Sequence, residues 1–404
     1  MSFTIPAATA LIEGPLPAVS ATTPTIRKTA LNAVHRQMGA KMVEFNGWDM
    51  PVEYPSAGGI IAEHNAVRTG VGIFDVSHMG DIRLQGPEAL AGVQHISMND
   101  GSRLAIGQAQ YSALLYPQGT FVDDVIVHRL GEDDYLLVIN AGTREKDFNW
   151  VRDNTRQFNC KVENLSDDFT QIAIQGPKGV NLLQKLTNVD LSAVKFYWVT
   201  RGALAFFEKS TRHYLQNILI ARTGYTAEDG FEIYVPADEA TSAMVWNQLL
   251  EAGKEFGVVP CGLGARNTLR LEGSLSLYGH EISDTINVWE AGLGRFCKME
   301  KPDFIGRAAL EKAKTAGLKQ KLIGLEMIER GIARDSYKVL DDSGREIGYV
   351  TSGSHSPFLK KNIALAYVPP QFASVGSTVK VEIRGQGVKA QVVPTPFYKR
   401  PKKS

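Results

Sequence analysis

Residues 109–140, AQYSALLYPQGTFVDDVIVHRLGEDDYLLVIN, restrict the fold more than any other stretch. Three runs rich in β-branched, aromatic and leucine residues are separated by a PQG turn and a GEDD turn. Turns this short leave no room for a crossover helix, so the three runs form an antiparallel meander. The middle run, FVDDVIV at 121–127, carries adjacent carboxylates, Asp123 and Asp124, flanked by Phe121, Val122, Val125, Ile126 and Val127. Successive side chains in a strand point to opposite faces, so one aspartate faces inward. A carboxylate in such a place is costly unless donors or a cationic ligand meet it, which marks the pair as a candidate site.

A second constellation lies about a hundred residues on. ARTGYTAEDGFEIYVP at 221–236 is a glycine-punctuated turn carrying Tyr225, Glu228 and Asp229, and it feeds a strand holding Glu232. Acids and an aromatic facing one pocket suit a nitrogenous, hydrogen-bonding heterocycle better than a phosphate. Arg266 and Arg270 stand i,i+4 on the helix expected from GLGARNTLRLEG. That spacing puts them on one face, where one can reach a carboxylate, on Glu232 or on a ligand. Tyr111, Tyr197 and Tyr225 are candidates to stack on a flat ring, and His78 and Met79 sit between a strand and a turn in DVSHMG.

Other chemistries lack support. GLGARN has neither the third glycine nor the preceding strand of a dinucleotide fingerprint, and there is no Walker-type loop or G-x-S-x-G elbow. The eight histidines form no H-E-x-x-H, and Cys160, Cys261 and Cys297 are far apart without C-x-x-C spacing. No metal site and no disulfide framework is therefore expected, and the thiols fit a reducing compartment. The balance of 44 basic and 43 acidic residues gives no field for nucleic acid or anionic lipid, and no apolar run reaches the ~20 residues of a spanning helix.

Along the chain, helices are expected at 29–38, 59–70, 87–97, 144–154, 237–257 and from about Gly264, with strands between them. EKAKTAGLKQK at 311–321 reads as a charged, linker-like helix. Beyond it, short strands with glycine turns (KLIGLEM, YKVLDDSGREIGYVTSG, NIALAYVP, STVKVEIRGQGVKAQVVP) predict a small β-barrel or sandwich. With 404 residues, 44% hydrophobic, two or three domains are expected. Residues 1–26 are Ala/Pro/Thr-rich, with Glu13 the only charge up to residue 25, and match neither a transit peptide nor a secretory leader; a disordered tail and a cytoplasmic location are expected.

FNGWDMPVEY, GIFDVSHMG, DDVIV, NAGTREKDFNW, IQGPK, RTGYTAEDGFE, GLGARNTLRLEGSLSLYG and TSGSHSPFLKKNIALAYV, collinear over roughly 27–398, together resemble the glycine cleavage aminomethyltransferase (T-protein) family. The resemblance implies an α+β, three-domain cloverleaf around a central folate hole, ending in an all-β, barrel-like domain. The folate-binding domain would be discontinuous (27–80 and 168–300), with a second α+β domain at 81–167 and the barrel at 301–404. It further implies tetrahydrofolate as acceptor substrate and a lipoylated carrier, the H-protein, as partner, with no flavin, metal, nucleic acid or membrane. The products would be 5,10-methylenetetrahydrofolate, ammonia and the dihydrolipoyl carrier.

Carried over by motif, the catalytic acid would be Asp124. The folate would be held by Glu232, Arg266, Tyr225, Asn140 and Tyr111, with Met79 lining the pocket and Lys399 supplying a basic group. Asp123, on the other strand face, would tolerate Asn. The chain departs from the family at Ala227, usually Gly; Asn267, usually Asp; Phe296, usually Trp; Thr120, usually Gly; and Lys399, often Arg. Asn267 would leave Arg266 without a neighbouring carboxylate. Two related possibilities are a folate-dependent demethylase, commonly fused to a flavin domain, and a non-enzymatic iron–sulfur assembly factor, whose Cys motif is not found here.

Overall fold

The structure, a computed structural model, describes residues 26–208 and 211–401. The expected N-terminal tail lies outside the described residues except for Ile26. Two open sheets, a closed barrel and a small hairpin make up the β structure.

The first sheet has six strands in the order Val199–Glu208, Thr211–Ala221, Gly230–Pro236, Phe169–Gln175, Gly72–Asp75, Val259–Cys261. All its pairings are antiparallel except that of Val259–Cys261 with Gly72–Asp75. The helix Glu239–Gly253 covers one face because Ser242, Val245, Trp246, Leu249 and Gly253 recur on one side and are buried. Asp238 caps it, accepting from the Thr241 N–H at 2.8 Å. Trp246 and Leu249 pack there against Ile172, Ile174, Phe231 and Ile233.

The expected meander forms the core of the second sheet, ordered Gln108–Leu115, Phe121–Gly131, Asp134–Ile139, Gly80–Gln85, Lys161–Asn164. Helices Ala89–Ile96 and Arg144–Asn154 contribute Val93, Ile96 and Val151 to its core with Ile82, Val125 and Leu137. Residues 277–310 wedge between this sheet and the barrel, where Ile282, Val288, Phe304 and Leu310 meet Phe121 and Tyr367.

The C-terminal strands close into a six-stranded barrel, Lys321–Met327, Lys361–Val368, Glu346–Ser356, Lys338–Leu340, Thr378–Ile383, Gln386–Val393 and back to the first. The charged helix lies at Arg307–Ala316, four residues earlier than its pattern suggested. Gly306 (φ +92°) and Gly317 (φ +82°) bracket it in conformations that side chains resist, and glycine placement overrides the charge pattern as boundary signal. The first helix is likewise shorter than expected, Asn32–Gln37.

The helix Leu263–Glu272 joins these parts. Arg68, from the helix Gly59–Thr69, reaches Glu272 at 2.8 Å and Glu228 at 3.0 Å, all three being buried. Arg270 reaches Glu281 at 2.8 Å and the Ser352 hydroxyl of the barrel at 2.8 Å. Thr351 donates to the other Glu281 oxygen at 2.7 Å, and Ser356 donates to Glu272. Removing one member of such a buried pair strands its partner's charge and costs about 3–5 kcal/mol. Glu281→Ala is therefore expected to lower the thermal unfolding midpoint sharply and to expose the barrel junction to limited proteolysis. Arg270→Met combined with Glu281→Leu should recover most of the loss. A single variant that melts with the parent would show that this pair does not hold the barrel.

Candidate active site

Both sheets, the Leu263–Glu272 helix and the chain after it wall a cavity of about 790 Å³. That is ample for a drug-sized ligand, since such sites run to roughly 300–1,000 Å³. Phe74, Val76, Met79, Ile126, Val138 and Leu293 give it an apolar lining, and the convergent polar groups are Asp124, Asn140, Glu232, Arg266 and the tyrosines 111, 197 and 225. A smaller chamber of about 250 Å³ adjoins it, sharing Met79, Asn140 and Arg266 and adding Phe45, His78 and Tyr278.

Strand alternation does place Asp124 in the cavity and Asp123 on the other face. Asp123 is nevertheless fully buried. It accepts from the Asp124 N–H at 3.0 Å and from Asn140 Nδ2 at 2.8 Å on one oxygen, and from the Asn140 N–H at 3.2 Å and Thr143 Oγ1 at 2.7 Å on the other. An amide in its place would turn a donor toward groups that themselves donate, so Asp123→Asn is expected to be costly despite its place on the other face. The same Asn140 amide donates to Asp124 at 2.8 Å, so one side chain bridges both acids. Burial first, and then the charge of Asp123, push the Asp124 carboxyl up to about 7, against the stabilising approach of Asn140 and Tyr111. The Tyr111 hydroxyl is buried near Asp124 but lacks the geometry of a hydrogen bond to it.

Glu232 lines the opposite wall and accepts a hydrogen bond from Thr223. Its pKa is raised by burial, with Thr223 and Arg266 opposing. Arg266 makes no ion pair with Glu232, nor with any other carboxylate among the described residues. Its guanidinium stacks 4.5 Å from the Tyr225 ring centroid, and burial lowers its pKa. The arginine that does meet a carboxylate is Arg270, with Glu281, and Asn267 accepts from Arg270 at 2.9 Å rather than serving Arg266. Tyr225 is pinned by its hydroxyl, which donates to the Ser276 carbonyl.

The acids of the 221–236 turn divide. Glu232 faces the cavity; Glu228 touches its wall but is paired to Arg68, and Asp229 holds Arg222 through contacts of 2.9 and 2.7 Å. Ala227, where family members usually carry Gly, has φ +62°, a left-handed conformation that costs a side-chain-bearing residue about 1–2 kcal/mol. His78 is buried with neither ring nitrogen bonded, and burial holds its pKa down near 3, so it stays neutral. Lys399 is exposed and is absent from the cavity wall, where the basic residues are Arg266, Arg295 and its neighbour Arg400. Thr223, Arg295 and Arg400 were missed by sequence reasoning, because no periodicity signals which loop residues converge. The described residues contain no group of three or more His, Cys, Asp or Glu poised for a metal, and no helix long and apolar enough to cross a membrane.

A cavity with apolar walls, opposed acids and an arginine without a carboxylate partner among the described residues, set between two sheets, has the features of a small-molecule site. The GCVT N-terminal domain model matches residues 31–301, and the glycine cleavage T-protein C-terminal barrel domain model matches 320–399. The chain is 73% identical to an aminomethyltransferase of Koribacter versatilis strain Ellin345, over 94% of this chain and 98% of the relative. It is 65% identical to one from Acidobacterium capsulatum, over 94% and 97%. The crystal structure of glycine cleavage system aminomethyltransferase T from Bartonella henselae superposes with a TM-score of 0.85 at 32% identity, covering 93% of this chain and 98% of that one. This chain belongs to the aminomethyltransferase family of glycine cleavage T-proteins, and it is a transferase.

The raised pKa of Asp124 has a thermodynamic consequence. A carboxyl lifted from 3.8 to about 7 binds its proton more tightly in the folded than in the unfolded state. Its stabilising contribution is full below the unfolded value and is lost as pH rises through about 7. Asp124→Asn removes this dependence. The difference in thermal midpoint between variant and parent should therefore move in the variant's favour from pH 5 to pH 8; a difference that stays constant would refute the raised pKa.

Proposed function

We infer that this chain is the aminomethyltransferase of the glycine cleavage system, with tetrahydrofolate as acceptor in the large cavity. The observation that carries the reading is the convergence of Asp124, Asn140, Glu232, Arg266 and Tyr225 on one cavity in a member of this family. A reduced pterin offers amino and ring N–H donors, an aromatic face and two nucleophilic nitrogens. Glu232 supplies an acceptor for the donors, Tyr111, Tyr197 and Tyr225 supply faces, and Met79 and Ile126 supply apolar contact. Arg266 and Arg400 offer positive charge for the glutamate tail, in place of Lys399.

In the transfer, the carrier's S–CH₂–NH₃⁺ group loses its C–S and C–N bonds while two C–N bonds form to the folate nitrogens. The leaving groups are thiol and ammonia, and the folate nitrogens give up their protons. Asp124, with a carboxyl poised near neutrality, can hold and pass such a proton and stabilise the cationic, iminium-like carbon that develops. The donor arrives tethered to a lipoyl carrier protein, and the smaller chamber, meeting the large one at Met79, Asn140 and Arg266, offers a second approach to the reacting nitrogens. In this reading residues 27–80 with 168–300 form the principal folate-binding unit, 81–167 supplies the catalytic strand, and 301–404 closes the site. A cytoplasmic location fits the three thiols, none of which is in a disulfide.

Calorimetry on folded Glu232→Ala is expected to show tetrahydrofolate affinity weakened by about 10- to 100-fold, the loss of one charge-assisted contact of roughly 1.5–3 kcal/mol. Unchanged affinity would sink the assignment. Asp124→Asn should bind folate nearly as well while kcat for methylenetetrahydrofolate formation from a glycine-loaded lipoyl carrier drops by about 100-fold or more. A normal rate in that variant removes Asp124 from the chemistry.

A further inference from the structure

Behind the Asp123–Asn140–Asp124 bridge lies a third carboxylate that the transfer chemistry does not use. Asp147, in the first turn of the helix Arg144–Asn154, is fully buried, and neither of its oxygens has a hydrogen-bond partner of regular geometry. Its nearest cation, Lys146 Nζ, stands 3.6 Å from Oδ1. That ammonium is already committed to the Val122 carbonyl and, at 3.0 Å, to the Tyr278 hydroxyl. The Thr143 hydroxyl is engaged on Asp123 at 2.7 Å. Asp147 therefore has no donor of its own and faces Asp123, which has four.

Two adjacent buried carboxylates do not both stay ionised without donors on each. The donors are all on Asp123, which makes Asp123 the acceptor and leaves the shared proton to Asp147. The helix N-terminus favours an anion at Asp147 only weakly against complete burial. The other titratable groups around it are Lys146 on its own helix, Tyr116 at the turn before the aspartate strand, and Tyr278, after the helix Leu263–Glu272, with Asp284 near it. Lys146 and, more weakly, the Thr143 hydroxyl oppose the proton. Burial and the Asp123 charge together push the Asp147 carboxyl up to about 10.

We propose that Asp147 is a positioning residue: as the neutral acid it donates a further hydrogen bond to Asp123 in place of a second buried charge, and so holds Asn140 and, through Asn140, Asp124 in place for the transfer step. The effect on rate rests on the reading of Asp124 as the catalytic acid; the proton on Asp147 does not.

The two parts are tested separately. An infrared difference spectrum of the parent minus folded Asp147→Asn at pH 9, without substrate, should contain the carbonyl band of a protonated carboxylic acid. Its absence overturns the proposal whatever Asp124 does. An asparagine amide replaces a neutral acid as donor, whereas alanine does not. Asp147→Asn should keep kcat within about threefold of the parent, while Asp147→Ala lowers it by about tenfold or more with the KM for tetrahydrofolate moving less than about threefold. An Asn variant as impaired as the Ala variant overturns the positioning role. If Asp147→Ala does not fold, Asp147→Leu, of similar size and without a donor, stands in for it, and the infrared result still decides. Failure of the parent to bind tetrahydrofolate would instead count against the functional reading and leave the infrared band in place.

Discussion

The buried charges on the helix Leu263–Glu272 are the constraint on which the remaining architecture rests. Arg270 and Glu272 project from one short helix toward different neighbours, the first to Glu281 and Ser352, the second to Arg68, His64 and Ser356. A buried charge must be met by an opposite charge or by donors, so these side chains dictate where the barrel and the Gly59–Thr69 helix sit. The cavity is the space left when those demands are satisfied. Arg266, one turn before Arg270, is the arginine of this helix that points into that space with no carboxylate for a partner among the described residues.

The cavity repeats the same physics with the opposite outcome. Asp124 and Glu232 approach it from different sheets and share no arginine, so both carboxyls are raised by burial and are left for a ligand to satisfy. Asp123, next in sequence to Asp124, is fully provided with donors. That division sets an acid held by the scaffold beside one that faces the cavity, within two consecutive residues. It also makes the loop Asn140–Thr143, rather than the strand alone, responsible for aiming Asp124.

Much of this could be read from residue order. The meander at 109–140, the helix under GLGARNTLRLEG and the run of short C-terminal strands follow from local periodicity and turn chemistry. Asp124 and Glu232 were found because a carboxylate inside an apolar strand is anomalous whatever surrounds it. The burial of Asp123 was not legible, since strand alternation says that a side chain leaves one face and not what covers the other. Arg266 and Arg270 are equivalent on the helix; only the barrel's Ser352 and the position of Glu281 decide that the second is structural. Lys399 and Arg400 are likewise adjacent bases in a loop, where no period ranks them. Asp147 within REKDFNW reads as an ordinary charge in a helix's first turn, because its significance depends on Asp123, 24 positions away, being packed against it.

What the sequence by itself determined is therefore local and family-wide: the order of strands and helices, the acid in an apolar strand, the glycine-bracketed boundaries, and collinear motifs specific enough to indicate the family. The tertiary structure alone decided which charges neutralise one another and which stay open to a ligand. The reason is that ionic and hydrogen-bond satisfaction depends on distance in space, between residues such as Arg68 and Glu272 that lie some 200 positions apart in the chain. Hydrophobic periodicity, by contrast, is written into neighbouring residues.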